Sequence, residues 1–131
     1  MTTNYANTFI AVSPDSLATV GAHPKPGTVA AEQLALILGR PYVLTSDDVL
    51  FEVYAKRNGI VRDDWAPERA VFFAKPKACL RASALVKSYG WGFHHDLHAK
   101  VAAFAVASPD YISLSEMPEI EQLKGMRSRR A

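Results

Sequence analysis

The feature that most restricts what this chain can fold into is a pair of apolar, β-forming runs set close together. Tyr89 to His95 and Val101 to Val106 flank a short polar segment, Asp96 to Lys100. That pattern predicts a β-hairpin with a loop somewhat longer than the tightest turns. Val101-Ala-Ala-Phe-Ala-Val106 is apolar throughout, which predicts an internal strand. Asn7-Thr-Phe-Ile-Ala-Val12 reads as another strand, apolar on both faces and stopped by Ser13-Pro14-Asp15.

Between these strands the signals are helical. Thr28 can cap a helix over Val29–Leu38, ended by Gly39 and Pro41; only Glu32 and Gln33 in it are polar, so most of it must be covered. Thr45 and Asp48 have capping-box spacing ahead of Val49–Arg57, and Gly59 can supply the left-handed stop. Asp63-Asp64 is placed to start a third helix over Trp65–Ala74, and Ser108-Pro109 starts another that Pro118 interrupts. Cys79–Val86 fits a strand by alternation but also fits a helix. Helices and strands do not alternate as a doubly wound parallel sheet requires. The expected fold is therefore α+β: one domain over 1–131, with an antiparallel sheet that includes the 89–106 hairpin and three or four helices packed against it.

The totals exclude several classes. At 131 residues, 49% hydrophobic and 21% charged, the chain can bury a core without a disulfide or metal. A net charge of +2 is too balanced to argue for nucleic acid, although Arg127, Arg129 and Arg130 cluster near the end. One cysteine, Cys79, excludes an internal disulfide and a thiol-rich zinc site. Neither a secretory signal nor an apolar run of membrane-spanning length is visible, so a cytoplasmic protein with no membrane partner is expected.

Reactive and aromatic side chains concentrate between Cys79 and Asp96. In a strand, His94 and Asp96 share one face while His95 joins Trp91 and Phe93 on the other. A divalent metal held by His94 and Asp96, with His98 from the loop, is an open alternative that the loose spacing disfavours. His94 or His95 can serve as a general base, and Cys79 can serve as a nucleophile if Arg81 lowers its pKa. Against these stand packed histidines and a cysteine acting as a small buried hydrophobe. Arg81, Ser83, Tyr89 and Trp91 can instead bind a small organic anion: guanidinium on the charged group, indole against the body, and Gly90 and Gly92 allowing close backbone approach. Against that reading, Arg81 pairs with Glu52 or an aspartate and Trp91 is core.

Four segments carry a family resemblance: Thr45-Ser-Asp-Asp-Val-Leu-Phe-Glu-Val-Tyr-Ala55, Cys79-Leu-Arg-Ala-Ser83, Tyr89-Gly-Trp-Gly-Phe-His-His-Asp96 and Met126-Arg-Ser-Arg-Arg-Ala131. With the Asn7-Thr-Phe-Ile10 start, the chain resembles, over essentially its whole length, a family of small bacterial and fungal proteins classed as a domain of unknown function. The resemblance implies a stand-alone domain and brings no activity or cofactor. Relatives tend to have proline where Ala84 stands, which favours the extended reading of Cys79–Val86, and glycine near Ala99. Histidine at 98 is outside the shared pattern.

Three function classes follow. The leading one is a module binding a small organic anion around Arg81, Ser83, Trp91 and His94 or His95. The second is an enzyme using His94 or His95. The third is an interaction protein whose site is a dimer or partner surface, for which the Gly-Trp-Gly aromatics must be exposed; the apolar Val29–Leu38 helix and that aromatic surface suggest a homodimer.

Overall fold

The computed structural model describes residues 1–128, so Arg129 and Arg130 of the basic terminus lie outside the described residues. Four strands, β1 (Thr8–Ala11), β2 (Trp91–His95), β3 (Val101–Ala105) and β4 (Glu121–Lys124), form one sheet in the order β3-β2-β1-β4. Five α-helices are present among the described residues: α1 (Val29–Gly39), α2 (Ser46–Arg57), α3 (Trp65–Phe72), α4 (Ala84–Lys87) and α5 (Pro109–Ser115). The fold is α+β, as expected.

The β2–β3 hairpin forms, with Trp91 opposite Ala105 and His95 opposite Val101. Asp96 closes it: one carboxylate oxygen accepts from the backbone N–H groups of His98 and Lys100, both at 2.9 Å. The sheet is mixed, because β4 runs parallel to β1 while the other pairs are antiparallel. β4 carries no sequence signal, being four residues, mostly polar and exposed.

The helix signals hold where they are local. Thr45 and Asp48 make the full capping box at the start of α2, and Gly59 takes the left-handed conformation (φ +63°) after it. Thr28 caps α1 through the N–H of Ala31. Covering of α1 is one-sided: Ala30, Gln33, Leu34 and Ile37 are buried, whereas Val29 and Leu38 are exposed.

Three expectations are corrected. β3 is an edge strand, and its apolar start is covered by the 42–45 segment: Tyr42 donates its N–H to Val101, Val101 donates to Leu44, and Thr45 bridges Lys100. Asp63 and Asp64 do not cap the third helix with their side chains; they belong to a 3-10 turn, Arg62–Asp64, that leads into it, and the helix ends at Phe72. Cys79–Val86 is not extended. It is a 3-10 turn, Leu80–Ala82, followed by α4, which Ser83 caps by accepting from Leu85 N. Ala84 is the first residue of that helix, a position that proline suits, so the resemblance at Ala84 fits a helix start better than a strand.

The sheet divides the molecule. Ile10, Trp91, Phe93 and Val101 face α1, α2 and α4 and join Leu34, Ile37, Val49, Leu80, Leu85 and Val86 in the main core. The opposite face meets α5, where the Phe9 and Tyr111 rings meet edge to face at 5.1 Å. The absence of a side chain at Gly92 is what admits α5: a Cβ there would stand 2.7 Å from the Tyr111 ring.

Candidate functional site

Strand alternation parts the two adjacent histidines. His95 lies opposite Thr8 on the main-core side and is fully buried, with the Tyr5 ring 5.5 Å away. Neither of its ring nitrogens has a hydrogen-bond partner. Burial, reinforced by the positive charge His94 can carry, pushes its pKa down to about 4 against the opposing pull of Asp96. It is a neutral core residue, closed to substrate.

His94 faces the other way, opposite Phe9 on β1 and Ala102 on β3. It lines a cavity of about 370 Å³ beside α5, with apolar walls from Leu97, Leu114, Met117 and Ile120 and with Asn7, Asp96 and His98 at its polar edge. Its Nδ1 lies 2.7 Å from the hydroxyl of Tyr42. Tyr42 reaches it from the segment that flanks β3, and the small Ala102 at the intervening position leaves room for the ring. Burial lowers the His94 pKa despite nearby Asp96, so its imidazole is neutral at pH 7. Burial and the charges of Asp96 and Asp110 raise the Tyr42 pKa, so the phenol keeps its proton.

With the phenol protonated and the imidazole neutral, two arrangements satisfy the pair: Tyr42 donates to Nδ1 when the imidazole proton sits on Nε2, or accepts from Nδ1–H when it sits there. In the first, His94 offers an Nε2–H donor to the cleft.

The backbone around this cavity is unusual. Non-glycine residues with positive φ are few in any protein, yet Asn7 (φ 51°) lines it, Tyr42 (φ 58°) orients its histidine and Ala99 (φ 64°) sits in the loop that carries Leu97 and His98. Glycine favours such a conformation, which accounts for the glycine expected near Ala99.

The remaining site residues are held by protein partners elsewhere. Ser83 donates to Gln33 Oε1 at 2.9 Å besides capping α4. Trp91 is buried and donates its indole N–H to the Ala22 carbonyl, which withdraws the exposed aromatic surface the interaction reading required. Tyr89 packs against the main core. Gly90 meets the Val20 backbone and Gly92 the Tyr111 ring, so neither is open to a ligand. Cys79 is half-buried with its thiol 3.2 Å from the Tyr5 hydroxyl; burial, then that hydrogen bond, pushes the phenol to about 12. Arg81 donates Nε–H to the Lys124 carbonyl at 2.6 Å, while Glu52 is taken by Arg40 and Lys56. Arg81, Ser83 and His94 line three different cavities, so one pocket around all of them does not form. Among the described residues no three His, Cys, Asp or Glu side chains stand together as a metal set. Asp96 is tied into the hairpin loop.

A family match spans the chain from residue 1 to residue 131. The chain belongs to DUF6157, a family of unknown function. No curated protein matches it, and no solved structure matches it. Membership supplies no activity, and the reading of the site rests on the geometry. Among the described residues no helix is long and apolar enough to cross a membrane. Tyr42 is the residue that sequence reasoning missed; a tyrosine after Gly39-Arg-Pro41 carries no signal that it flanks β3 or reaches β2.

Proposed function

We propose that the protein is a binding module whose His94 cleft takes a small, largely apolar molecule carrying one carbonyl oxygen. The observation that carries this reading is the strained Tyr42, held in a left-handed conformation with its hydroxyl on His94 Nδ1. Strain of this kind persists where the surroundings enforce it and clusters at binding sites. The neutral imidazole offers Nε2–H to an acceptor oxygen while Leu97, Leu114 and Met117 pack the body. Asp96 at the cleft edge favours an uncharged carbonyl over a carboxylate. A general-base role for His94 would use the opposite tautomer, with Nδ1–H on the Tyr42 oxygen and Nε2 basic. Four apolar side chains wall the cleft around this one imidazole, so binding ranks above catalysis.

The test is a panel of cyclic ketones, amides and esters screened by amide NMR shifts, with His94→Ala and Tyr42→Phe alongside. Binders should shift Asn7, Leu97 and Leu114, and His94→Ala should weaken them about tenfold, the worth of one good hydrogen bond. Ligands that bind His94→Ala as tightly as the wild type would sink the reading.

A second reading keeps the small organic anion and moves it to Arg81. Nε–H is fixed on Lys124, and the two terminal amino groups have no partner among the described residues. They border a cavity of about 580 Å³ that also has Lys124 and Arg127 on its wall and no acidic residue. Small carboxylates that stabilise the wild type but not Arg81→Ala support it; equal stabilisation of both removes it.

A further inference from the structure

Gln33 on α1 is buried, at 7% exposure, and lines cavities that share no residue with the His94 cleft. Its Oε1 accepts from Ser83, but its Nε2 has no partner among the described residues. Among the described residues only the His95 nitrogens are buried without a partner, so the Gln33 amide N–H₂ is itself reached by solvent and is open to an acceptor in the space beside it. Gln33 stands where two cavities meet. One, of about 300 Å³, lies between α1, α2 and α3; the other, of about 230 Å³, runs on toward Cys79, and Val29, Gln33 and Ala78 line both. The larger has Leu50, Val53 and Phe72 as its apolar wall and no acidic residue on it.

Two cations stand at its rim, and they differ. Arg57 is occupied, pairing with Glu32 at 3.3 Å and donating to the Gly27 carbonyl. Lys77 has no carboxylate partner among the described residues; its ammonium lies 4.4 Å from the centre of the Phe72 ring. The cleft thus presents an amide donor with no protein acceptor, a positive charge with no carboxylate partner among the described residues, and an apolar wall.

We infer that this cleft binds a small monocarboxylate with an apolar body. One carboxylate oxygen accepts from Gln33 Nε2, Lys77 neutralises the charge, and the body packs on Val53 and Phe72. The volume lies at the small end of ligand pockets, so a phenyl or short-chain acid fits better than a long fatty acid. The inference uses none of the residues of the His94 cleft and stands apart from that reading.

Phenylacetate and its uncharged counterpart phenylacetamide are the probes, titrated while the Leu50 and Val53 methyl groups and the Gln33 side-chain amide are followed by NMR. Phenylacetate should move all three, and the amide should bind about tenfold more weakly because the charge contribution is lost. Lys77→Met should weaken phenylacetate about tenfold, as should Gln33→Met, while His94→Ala leaves it unchanged. Lys77 is a surface side chain, so its variant keeps the test valid even where Gln33→Met, which also deprives Ser83 of its acceptor, fails to fold. Equal affinity for acid and amide, undiminished binding to Lys77→Met, or shifts at Leu97 and Leu114 in place of Leu50 and Val53 would each overturn the inference. So would no shift at all up to the solubility of the acid.

Discussion

Replacing His95 should remove most of a specific pH dependence of stability. The imidazole is fully buried, neither nitrogen is hydrogen-bonded, and its pKa is about 4 against an ordinary 6.5. An unfolded chain takes up a proton on this residue near pH 6.5, whereas the native protein resists until about pH 4. Between those values the unfolded state binds more protons, so stability falls as the pH is lowered. The contribution is fully present above about 6.5, declines through the window, and levels off below about 4. At about 1.4 kcal/mol per tenfold change in proton affinity, the whole effect is about 3 kcal/mol, most of which is lost by about pH 4.5. His94, whose pKa is lowered too, and the carboxylates add their own pH dependence. The informative quantity is therefore the difference between the wild type and a variant that retains them.

His95→Phe and His95→Leu serve together, since one overfills the site slightly and the other underfills it. Urea unfolding at about pH 7.5 and about pH 4.5 gives four variant values to compare with two for the wild type. The wild type should lose about 2 to 3 kcal/mol more than either variant over that interval. At the higher pH, His95→Phe also removes two unpaired buried polar atoms, which offsets its packing strain by about 1 to 3 kcal/mol. Equal losses in all three proteins would refute the reasoning, because they would mean that His95 is as easily protonated folded as unfolded.

Two further outcomes follow from the backbone. Burial pushes the Asp48 carboxyl up, but the Thr45 backbone N–H and the Arg69 guanidinium together pull it below its ordinary value; Thr45→Ala should cost about 1 kcal/mol in thermal or urea unfolding at neutral pH, and a neutral result would mean that the capping box contributes nothing. Ala99 holds a φ of 64°, so Ala99→Gly should stabilise by up to about 1 kcal/mol, the relief of left-handed strain less the added entropy of the unfolded chain. Destabilisation on that change would show that the loop does not adopt this conformation in solution.

Legibility in the sequence tracked the range of the interaction. The capping box joins Thr45 to Asp48, three positions on, and the hairpin closes over a loop of five, so both could be read directly. The opposite orientation of His94 and His95 followed from strand periodicity alone. The pairing of β4 with β1 joins Glu121 to Thr8, more than a hundred residues apart, through four residues of which three are polar; local pattern has no access to it. Cys79–Val86 failed for another reason. Alternation and a short helix both fit Leu80, Ala82, Leu85 and Val86, and what decided was the Ser83 hydroxyl capping Leu85 while bonding Gln33, a tertiary contact. The contrast between Gln33 and Tyr42 is sharper still. Gln33 was visible as one of two polar residues in an apolar helix, while nothing near Tyr42 announced its role.

Of the four non-glycine residues with positive φ, three surround the end of the sheet where β2 stops, and each is held there by bonds that a relaxed backbone would have to break. Asn7 donates its N–H to Asp96 O, accepts from Glu121 N and donates its side-chain amide to Glu119 O. Tyr42 donates its N–H to Val101 O. Ala99 donates its N–H to Asp96 O, between two neighbours that bond the Asp96 carboxylate. For Tyr42 and Ala99 such a conformation costs of order 1 kcal/mol or more, and for Asn7 less because asparagine tolerates it, so the hydrogen bonds must outweigh these costs for the arrangement to persist. Two of the three strained residues share a partner in Asp96, which sits directly after the histidines. The hairpin loop, the start of β1 and the strap beside β3 are thereby fixed to one another, and the cleft they leave open is the one that His94 enters. A rim tied together by these hydrogen bonds would hold the cleft's shape before anything enters it, and in the role proposed for His94 such preorganisation would lower the cost of binding.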